Sequence, residues 1–417
     1  MNTIAKFAVG ALALAVSGTF AHASDDLFLP AASAKSAASD YTWRVLVDNP
    51  SSAEVTLVEA NAKAMQRETE SLRLDLGHGL VVTAHRLNSY TNESGSLVWS
   101  GIIEETSPKL VLPRAPSYLG EREVADDGAN SAIFVRDGDQ LTGNVYLDGE
   151  WFKVRPLAKG GHAIVAVDQR KLPPDHPPEF DKAMVVPMRM GKADAAPKAN
   201  AVIRVMVNYT PGAASQSGNI SSLIDLAVAE SNQGYANSGV AITMQLANKS
   251  QTSYTETGNF DTDLARYRGT SDGYMDSIHT TRNSVAADVG VLIVKNTAYC
   301  GLASGIGSTA TTAFAEVYWD CATGYYSFAH EIGHLQSARH DPANDPTNTP
   351  YAYGHGYQRA ANGWRTIMAY ACTTSCTRLN YWSNPAKTYG GVAMGTTTRS
   401  HNQRVLNNTA ATVAGFR

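Results

Sequence analysis

Short apolar runs separated by turn residues dominate the first part of the chain. Residues 43–47, 81–84, 133–135 and 163–167 read as strands. Two stretches then break the pattern: Leu172-Pro173-Pro174-Asp175-His176-Pro177-Pro178, and residues 191–199 with their Ala, Pro and Lys. Proline-rich and small polar segments of this kind mark the boundary between folded units. From about residue 200 the period changes. Residues 202–207 read as a buried strand, and residues 220–235 carry Leu223, Ile224, Ala227 and Val228 at helical spacing. Residues 240–246 read as a strand, 274–285 as a helix, 289–294 as a strand and 313–319 as a further extended run. Strands alternating with helices predict a mixed α/β domain.

The two ends of this pattern fix the organisation. Lys6 precedes an apolar run at residues 7–16, and Ala21-His22-Ala23 has the small-x-small form of a signal-peptidase site. That run is well short of the ~20 residues needed to span a bilayer. The expectation is therefore a secreted protein cleaved after Ala23, with a first unit at 24–195, a second at 196–417, and no membrane partner in the mature form. Composition agrees with folded units: 43% of the 417 residues are hydrophobic and 17% charged. A formal charge of -4 with no long basic run argues against a nucleic-acid partner. The four cysteines, Cys300, Cys321, Cys372 and Cys376, lie in the second unit. In an exported chain they imply two disulfides with three possible pairings. Cys300–Cys321 and Cys372–Cys376 are favoured because each closes a local loop, contributing roughly 3 and 2 kcal/mol.

The chemistry concentrates in His330-Glu331-Ile332-Gly333-His334-Leu335-Gln336-Ser337-Ala338-Arg339-His340-Asp341. Residues at i and i+4 share one helix face, so His330 and His334 can hold one ion. His340 reaches it only if the helix stops and the chain turns. Three neutral imidazoles suit zinc and leave a coordination position open, which separates catalytic from structural sites. The open position holds a water whose pKa the metal lowers, and Glu331 is placed to take its proton.

This run, followed downstream by Thr366-Ile367-Met368-Ala369-Tyr370, resembles the metzincin metalloproteases. The resemblance implies an α/β (α+β) catalytic domain with a mixed twisted sheet, an active-site helix and a methionine turn, behind a β-rich prosegment. It further implies that Met368 forms an apolar floor under the imidazoles and that Tyr370 steadies the oxyanion. Ser337 stands where the metzincin pattern usually has Gly, and His340-Asp341 is similar to the adamalysin (reprolysin) branch. Residues 325–341, 351–357 and 364–385 are most similar to the bacterial peptidyl-Asp metalloendopeptidases.

That family implies hydrolysis of protein or peptide substrates on the amino side of aspartate, which needs a cation in the pocket. Arg378 is the nearest cation after the methionine turn, with Arg365 and Arg339 in reserve; a planar guanidinium suits a carboxylate. Rival readings are a metzincin of broad or hydrophobic specificity and a non-catalytic zinc-binding adhesion protein. Residues 313–319 could be the edge strand on which substrate lies, the alternative being an interior strand. Glu316 and Asp320 read as solvent-facing, and His355 and His401 as ordinary polar residues. The run from Asp341 to Asn348 could bind calcium, although a polar loop is the better reading. The first unit lacks cysteine, so as an inhibitor of the second it would need a carboxylate or imidazole latch, for which Asp175, His176 and Asp181 are candidates. Cleavage before Asp194 would let the enzyme mature itself.

Overall fold

A computed structural model describes residues 26–31, 37–103, 130–177, 180, 200–373 and 376–417. The expected signal segment, Asp181, Asp194 and the boundary near 195 lie outside the described residues.

The first unit is an antiparallel sheet. Its strands are β1 (Phe28–Pro30), β2 (Ser52–Ala60), β3 (Ser71–Asp75), β4 (Val81–Thr91), β5 (Leu97–Ile103), β6 (Ser131–Asp137), β7 (Gln140–Leu147), β8 (Glu150–Pro156) and β9 (His162–Val167). They are ordered β1-β2-β9-β8-β7-β6-β5-β4-β3. Side chains alternate between two cores, as the pleat requires. In β7 and β8, Val145 and Val154 face an inner cluster with Trp99 and Phe134, whereas Tyr146 and Trp151 face the second unit. The run at 43–47 is not a strand but part of helix α1 (Tyr41–Asp48). Asp40 caps it by accepting from the Trp43 N–H at 3.1 Å, and Thr42 and Leu46 are buried one turn apart. A start signal at the preceding aspartate outweighed the β-branched composition.

The second unit is built on β10 (Ala201–Tyr209), β11 (Ile242–Gln251), β12 (Val289–Val294), β13 (Gly301–Ala303) and β14 (Phe314–Tyr318). Their order is β11-β10-β12-β14-β13; the first four are parallel and β13 runs antiparallel at one edge. Thus the extended run expected at 313–319 contains an interior strand, and the edge of the sheet belongs to β13. Glu316 and Asp320 are buried rather than solvent-facing. Lys153 of β8 pairs with Asp320 at 2.7 Å, each 1% exposed.

Along one face run helices α2 (Pro211–Gln216) and α3 (Ile220–Ser238), the latter packed between the two sheets. Helices α4 (Phe260–Arg268) and α5 (Ser277–Ser284) follow; the second is shorter than the sequence suggests, its first turn being irregular. The short helix α6 (Trp319–Ala322) holds Cys321, which pairs with Cys300, and Cys372 pairs with Cys376.

Helix α7 (Ser327–Leu335) carries the His-Glu motif and is buried along its whole length. Its end is a Schellman turn: the Ala338 N–H donates to Gly333 O at 2.9 Å and the Ser337 N–H to His334 O at 2.8 Å. Ser337 takes the left-handed conformation, φ +74°, that this turn demands. The reversal at Ser337 brings His340 back beside His334, and helix α8 (Asn402–Val413) closes the domain behind it.

A non-glycine residue at that left-handed position costs about 1–2 kcal/mol, part of which glycine's extra chain entropy offsets. Ser337→Gly should stabilise the protein by up to about 1 kcal/mol, raising Tm by about 2–4 °C, because relief of the turn outweighs loss of the contact made by the serine side chain. Calorimetry showing no gain or a loss would refute that account of the turn. A second expectation concerns the first sheet. The buried His162 accepts from the Leu141 N–H at 2.9 Å, and burial lowers its pKa from 6.5 to about 4. Stability is fully present above pH 6.5 and is lost as pH falls towards 4, because the unfolded chain takes up the proton first. At 1.36 kcal/mol per pH unit the loss reaches up to about 3 kcal/mol. His162→Gln keeps an acceptor, so urea unfolding between pH 7 and pH 4 should show a smaller acid penalty; an equal penalty refutes it.

Candidate active site

Three imidazoles meet at one buried point. The Nε2 atoms of His330 and His334 lie 3.1 Å apart, those of His330 and His340 3.1 Å, and those of His334 and His340 3.0 Å. Helix α7 supplies the first two from one face, and the Schellman turn returns the third. His330 donates through Nδ1 to Ile367 O at 2.9 Å, and His334 through Nδ1 to Ala338 O at 2.9 Å. With the proton held on Nδ1, each of these two rings turns an Nε2 lone pair to the common point. Burial, reinforced by the neighbouring positive groups, pushes all three pKa values well below the ordinary imidazole value, so the rings are neutral.

Close approach of nitrogens that present lone pairs is repulsive without a cation between them. Zinc–nitrogen bonds of about 2.0–2.1 Å at tetrahedral angles put ligand nitrogens roughly 3.3 Å apart. The donor set and spacing therefore fit zinc. His176, from the linker after the first sheet, joins the group: one nitrogen from each of the four rings lies within 4.8 Å of the others. Its Nε2 is 3.0 and 3.1 Å from the two Glu331 carboxylate oxygens, and its Nδ1 is buried with no hydrogen-bond partner. Phe180 stacks on the His176 ring, centroids 4.3 Å apart.

Glu331 projects from α7 towards the edge strand β13. Burial raises its pKa, partly offset by His176. A Cβ on Gly301 would collide with this carboxylate, so a larger residue there requires the Glu331 side chain to shift. Met368 is fully buried below the helix; its Sδ lies 3.0 Å from the Cβ position that Gly333 leaves empty. The Tyr370 ring stacks on His340 with centroids 4.0 Å apart, and its backbone N–H donates to Asp341 at 3.1 Å.

Next to this group are two buried arginines. Arg378 donates to Asp175 at 2.7 Å, to Tyr325 O at 3.0 Å and to Ala369 O at 3.2 Å. Arg365 lies 3.9 Å from the same Asp175 oxygen and donates to the Tyr325 hydroxyl at 3.0 Å. The Tyr325 ring lies under both guanidinium groups, at 4.1 and 5.3 Å. Burial pushes Asp175 up, but Arg378, Arg365 and His176 together hold it below the ordinary carboxylate value. Burial lowers the Arg378 pKa, yet Asp175 and Tyr325 more than compensate, and it rises overall.

Other sequence candidates lie elsewhere. Arg339 pairs with Asp345 at 2.6 Å, away from the pocket. Asp341 accepts from Asn344 at 3.0 Å as well as from Tyr370, and Asp345 also accepts from the Thr347 N–H at 3.1 Å. The carboxylates considered for calcium are thus engaged by the protein. His355 bonds His340 O at 2.7 Å through Nδ1, and His401 bonds Gln403 at 3.1 Å. Tyr325 and Gly301 were not singled out by the sequence. Glycine after Cys300 carries no signal until the edge strand is placed, and Tyr325 precedes the motif by a turn whose path spacing cannot give.

The M12 metallo-peptidase family model Reprolysin_5 matches residues 199–383. A peptidyl-Asp metalloendopeptidase of Stenotrophomonas maltophilia (strain R551-3) is 51% identical over 420 residues, covering 98% of both chains. One of Xanthomonas campestris pv. campestris is 49% identical over 419 residues, with 98% of each chain covered. A third, from Pseudomonas fragi, is 53% identical over 189 residues, which is 45% of this chain and 100% of that one. With the His-Glu group lying inside the matched region and the likeness extending through the first sheet, this chain belongs to the peptidyl-Asp metalloendopeptidase family and is a zinc metalloendopeptidase.

Proposed function

We propose that this chain is a secreted endopeptidase that hydrolyses the peptide bond on the amino side of aspartate. It would be exported by residues 1–23 and kept inactive by the unit at 24–195 until the domain at 196–417 is released. The observation that carries this reading is the buried Arg378–Arg365 pair beside Glu331 and the three converging imidazoles. Among the described residues no helix is long and apolar enough to cross a membrane.

His330, His334 and His340 would hold the zinc, with Met368 packed as an apolar floor. Zinc, when bound, supplies Lewis acidity towards a water and towards the scissile carbonyl. Glu331 takes a proton from the attacking water and passes it to the leaving amine. Tyr370, anchored on His340, donates to the oxygen on which negative charge develops. Substrate lies extended along β13, whose Gly301 leaves room for Glu331. The aspartate side chain enters the pocket over Tyr325 and takes the place of Asp175. A neutral side chain there would leave two desolvated guanidinium groups without an anion, and this is the basis of discrimination.

Mature enzyme should digest a denatured protein mixture to give new N-termini dominated by Asp, read by mass spectrometry. Glu331→Ala should lower kcat by at least about 10³-fold with the fold unchanged. Comparable turnover in that variant would sink the mechanism. Arg378→Gln should reduce kcat/KM for Asp peptides by about 10²–10³-fold while sparing the slow cleavage of other peptides. If Asp preference survives in that variant, the pocket lies elsewhere. Gly301→Ala should cost about 10–100-fold in kcat, because Glu331 must be displaced from its proton-transfer position. Unchanged kcat would show that the edge strand yields instead.

A further inference from the structure

The linker after the first sheet does more than cover the cleft. Its backbone is held on the edge strand: the Cys300 N–H donates to Pro174 O at 2.8 Å and the Gly301 N–H to Asp175 O at 3.2 Å. Asp175 places its carboxylate 2.7 Å from Arg378 and 3.9 Å from Arg365, in a pocket where the arginines are 1–2% exposed. The adjoining residue, His176, brings its ring to within 4.8–5.0 Å, centroid to centroid, of all three site imidazoles. One carboxylate thus fills the acid-reading pocket while one imidazole lies at the metal centre and on the general base.

Direction is the informative feature. In a substrate cut on the amino side of aspartate, the reacting carbonyl belongs to the residue before the aspartate. Chain read from N to C therefore passes the metal centre first and the acid pocket second. Here the order is opposite. The residue before the aspartate is Pro174, whose carbonyl is engaged by Cys300, and the residue after it lies at the metal centre.

Resting on the Asp-directed reading above, we infer that Asp175-His176 is a reversed copy of the substrate's recognition element. Asp175 occupies the specificity pocket, and His176 supplies the fourth nitrogen donor while pairing with Glu331. Two consequences follow from the same geometry. Arg365 joins Arg378 as a specificity-determining residue, with Tyr325 positioning both. The Pro174–Asp175 bond, although it precedes an aspartate, is protected in the folded chain because its carbonyl is turned away from the metal centre.

The test uses the full-length chain with zinc replaced by cobalt(II). Wild type should show the visible spectrum of a four-nitrogen site and hydrolyse an X–Asp peptide at least about 100-fold more slowly than the mature enzyme. His176→Ala should shift the cobalt bands, and added imidazole should restore them; the same variant should gain activity. Asp175→Asn leaves the imidazole in place and should gain activity with a smaller spectral change. Circular dichroism of both variants establishes that they are folded, and Asp175→Ala is the second variant should the first misfold. In the mature enzyme, Arg365→Gln should raise KM for Asp peptides with little change for others. A cobalt spectrum unmoved in a folded His176→Ala chain overturns the inference. So does a new N-terminus at Asp175 generated in the intact folded chain. Failure of the underlying reading is distinct: mature enzyme would then cut without preference for Asp, whatever the full-length variants do.

Discussion

The site depends on the convergence of three imidazole lone pairs at about 3 Å. Neutral rings at that spacing repel, so the arrangement must be held by the scaffold until a cation relieves it. Two of the restraints are backbone carbonyls, Ile367 O and Ala338 O, which fix the Nδ1 protons of His330 and His334. The first lies in the loop of Met368 and the second in the turn that ends α7. The site therefore depends on main-chain geometry at two loops, and the conformations of those loops are set by dense packing. Gly333 lets Met368 and Trp382 approach the helix, and Ser337 accepts a left-handed conformation that its side chain does not favour. Burial of the whole of α7 adds the last element, keeping the rings neutral and ready to bind.

The same low dielectric governs the Arg378–Arg365 pair, the acid pocket of the proposed reading. Two guanidinium groups held side by side away from water repel one another and cost desolvation energy, so the pocket is strongly disposed to accept an anion. Tyr325 moderates the cost through its π face, its hydroxyl and its carbonyl. The metal centre and the pocket are thus alike in kind. On the proposed reading each is a preorganised concentration of one type of electrostatic demand, relieved by a ligand that the second unit does not itself contain.

How much of this was legible in the sequence follows from the range of each interaction. Local spacing carried the His330, Glu331, His334 and His340 set, because a helix and one turn bring them together. It also carried residues 289–294, an uninterrupted run without a polar side chain that suits a parallel strand covered on both faces, and residues 202–207, where Arg204 interrupts the apolar positions. Residues 43–47 misled because composition spoke for a strand while the capping aspartate before them decided for a helix. The edge position of β13 was illegible, since a three-residue strand has no periodicity and its partner is set by tertiary order. Glu316 and Asp320 read as exposed because charge argues for solvent. Asp320 is instead paired across the two units by Lys153, a residue more than 160 positions away. Asp175 and His176 could be named as candidates from their place near the linker, but not assigned to pocket and metal centre until the chain path was known.

The contact between the two units combines adhesion with register. Tyr146, Trp151, Val165 and Val167 share one apolar core with residues of the second unit and supply most of the attraction. Interspersed are buried polar pairs: Lys153 with Asp320, Asn144 with Glu230 at 2.6 Å and Arg155 with Thr323 at 3.0 Å. For such groups the desolvation cost consumes much of the attraction, so they add little net adhesion but penalise any slipped arrangement heavily. On the proposed reading this division is what a removable inhibitor requires. Polar pins hold the first sheet in one register, so that the short linker delivers Asp175 and His176 to their two positions. Once the linker is cut, the same charged groups regain water on separation, and only the apolar part of the contact opposes release. An interface of apolar residues alone could bind as tightly, but it would fix the linker less accurately and resist removal more.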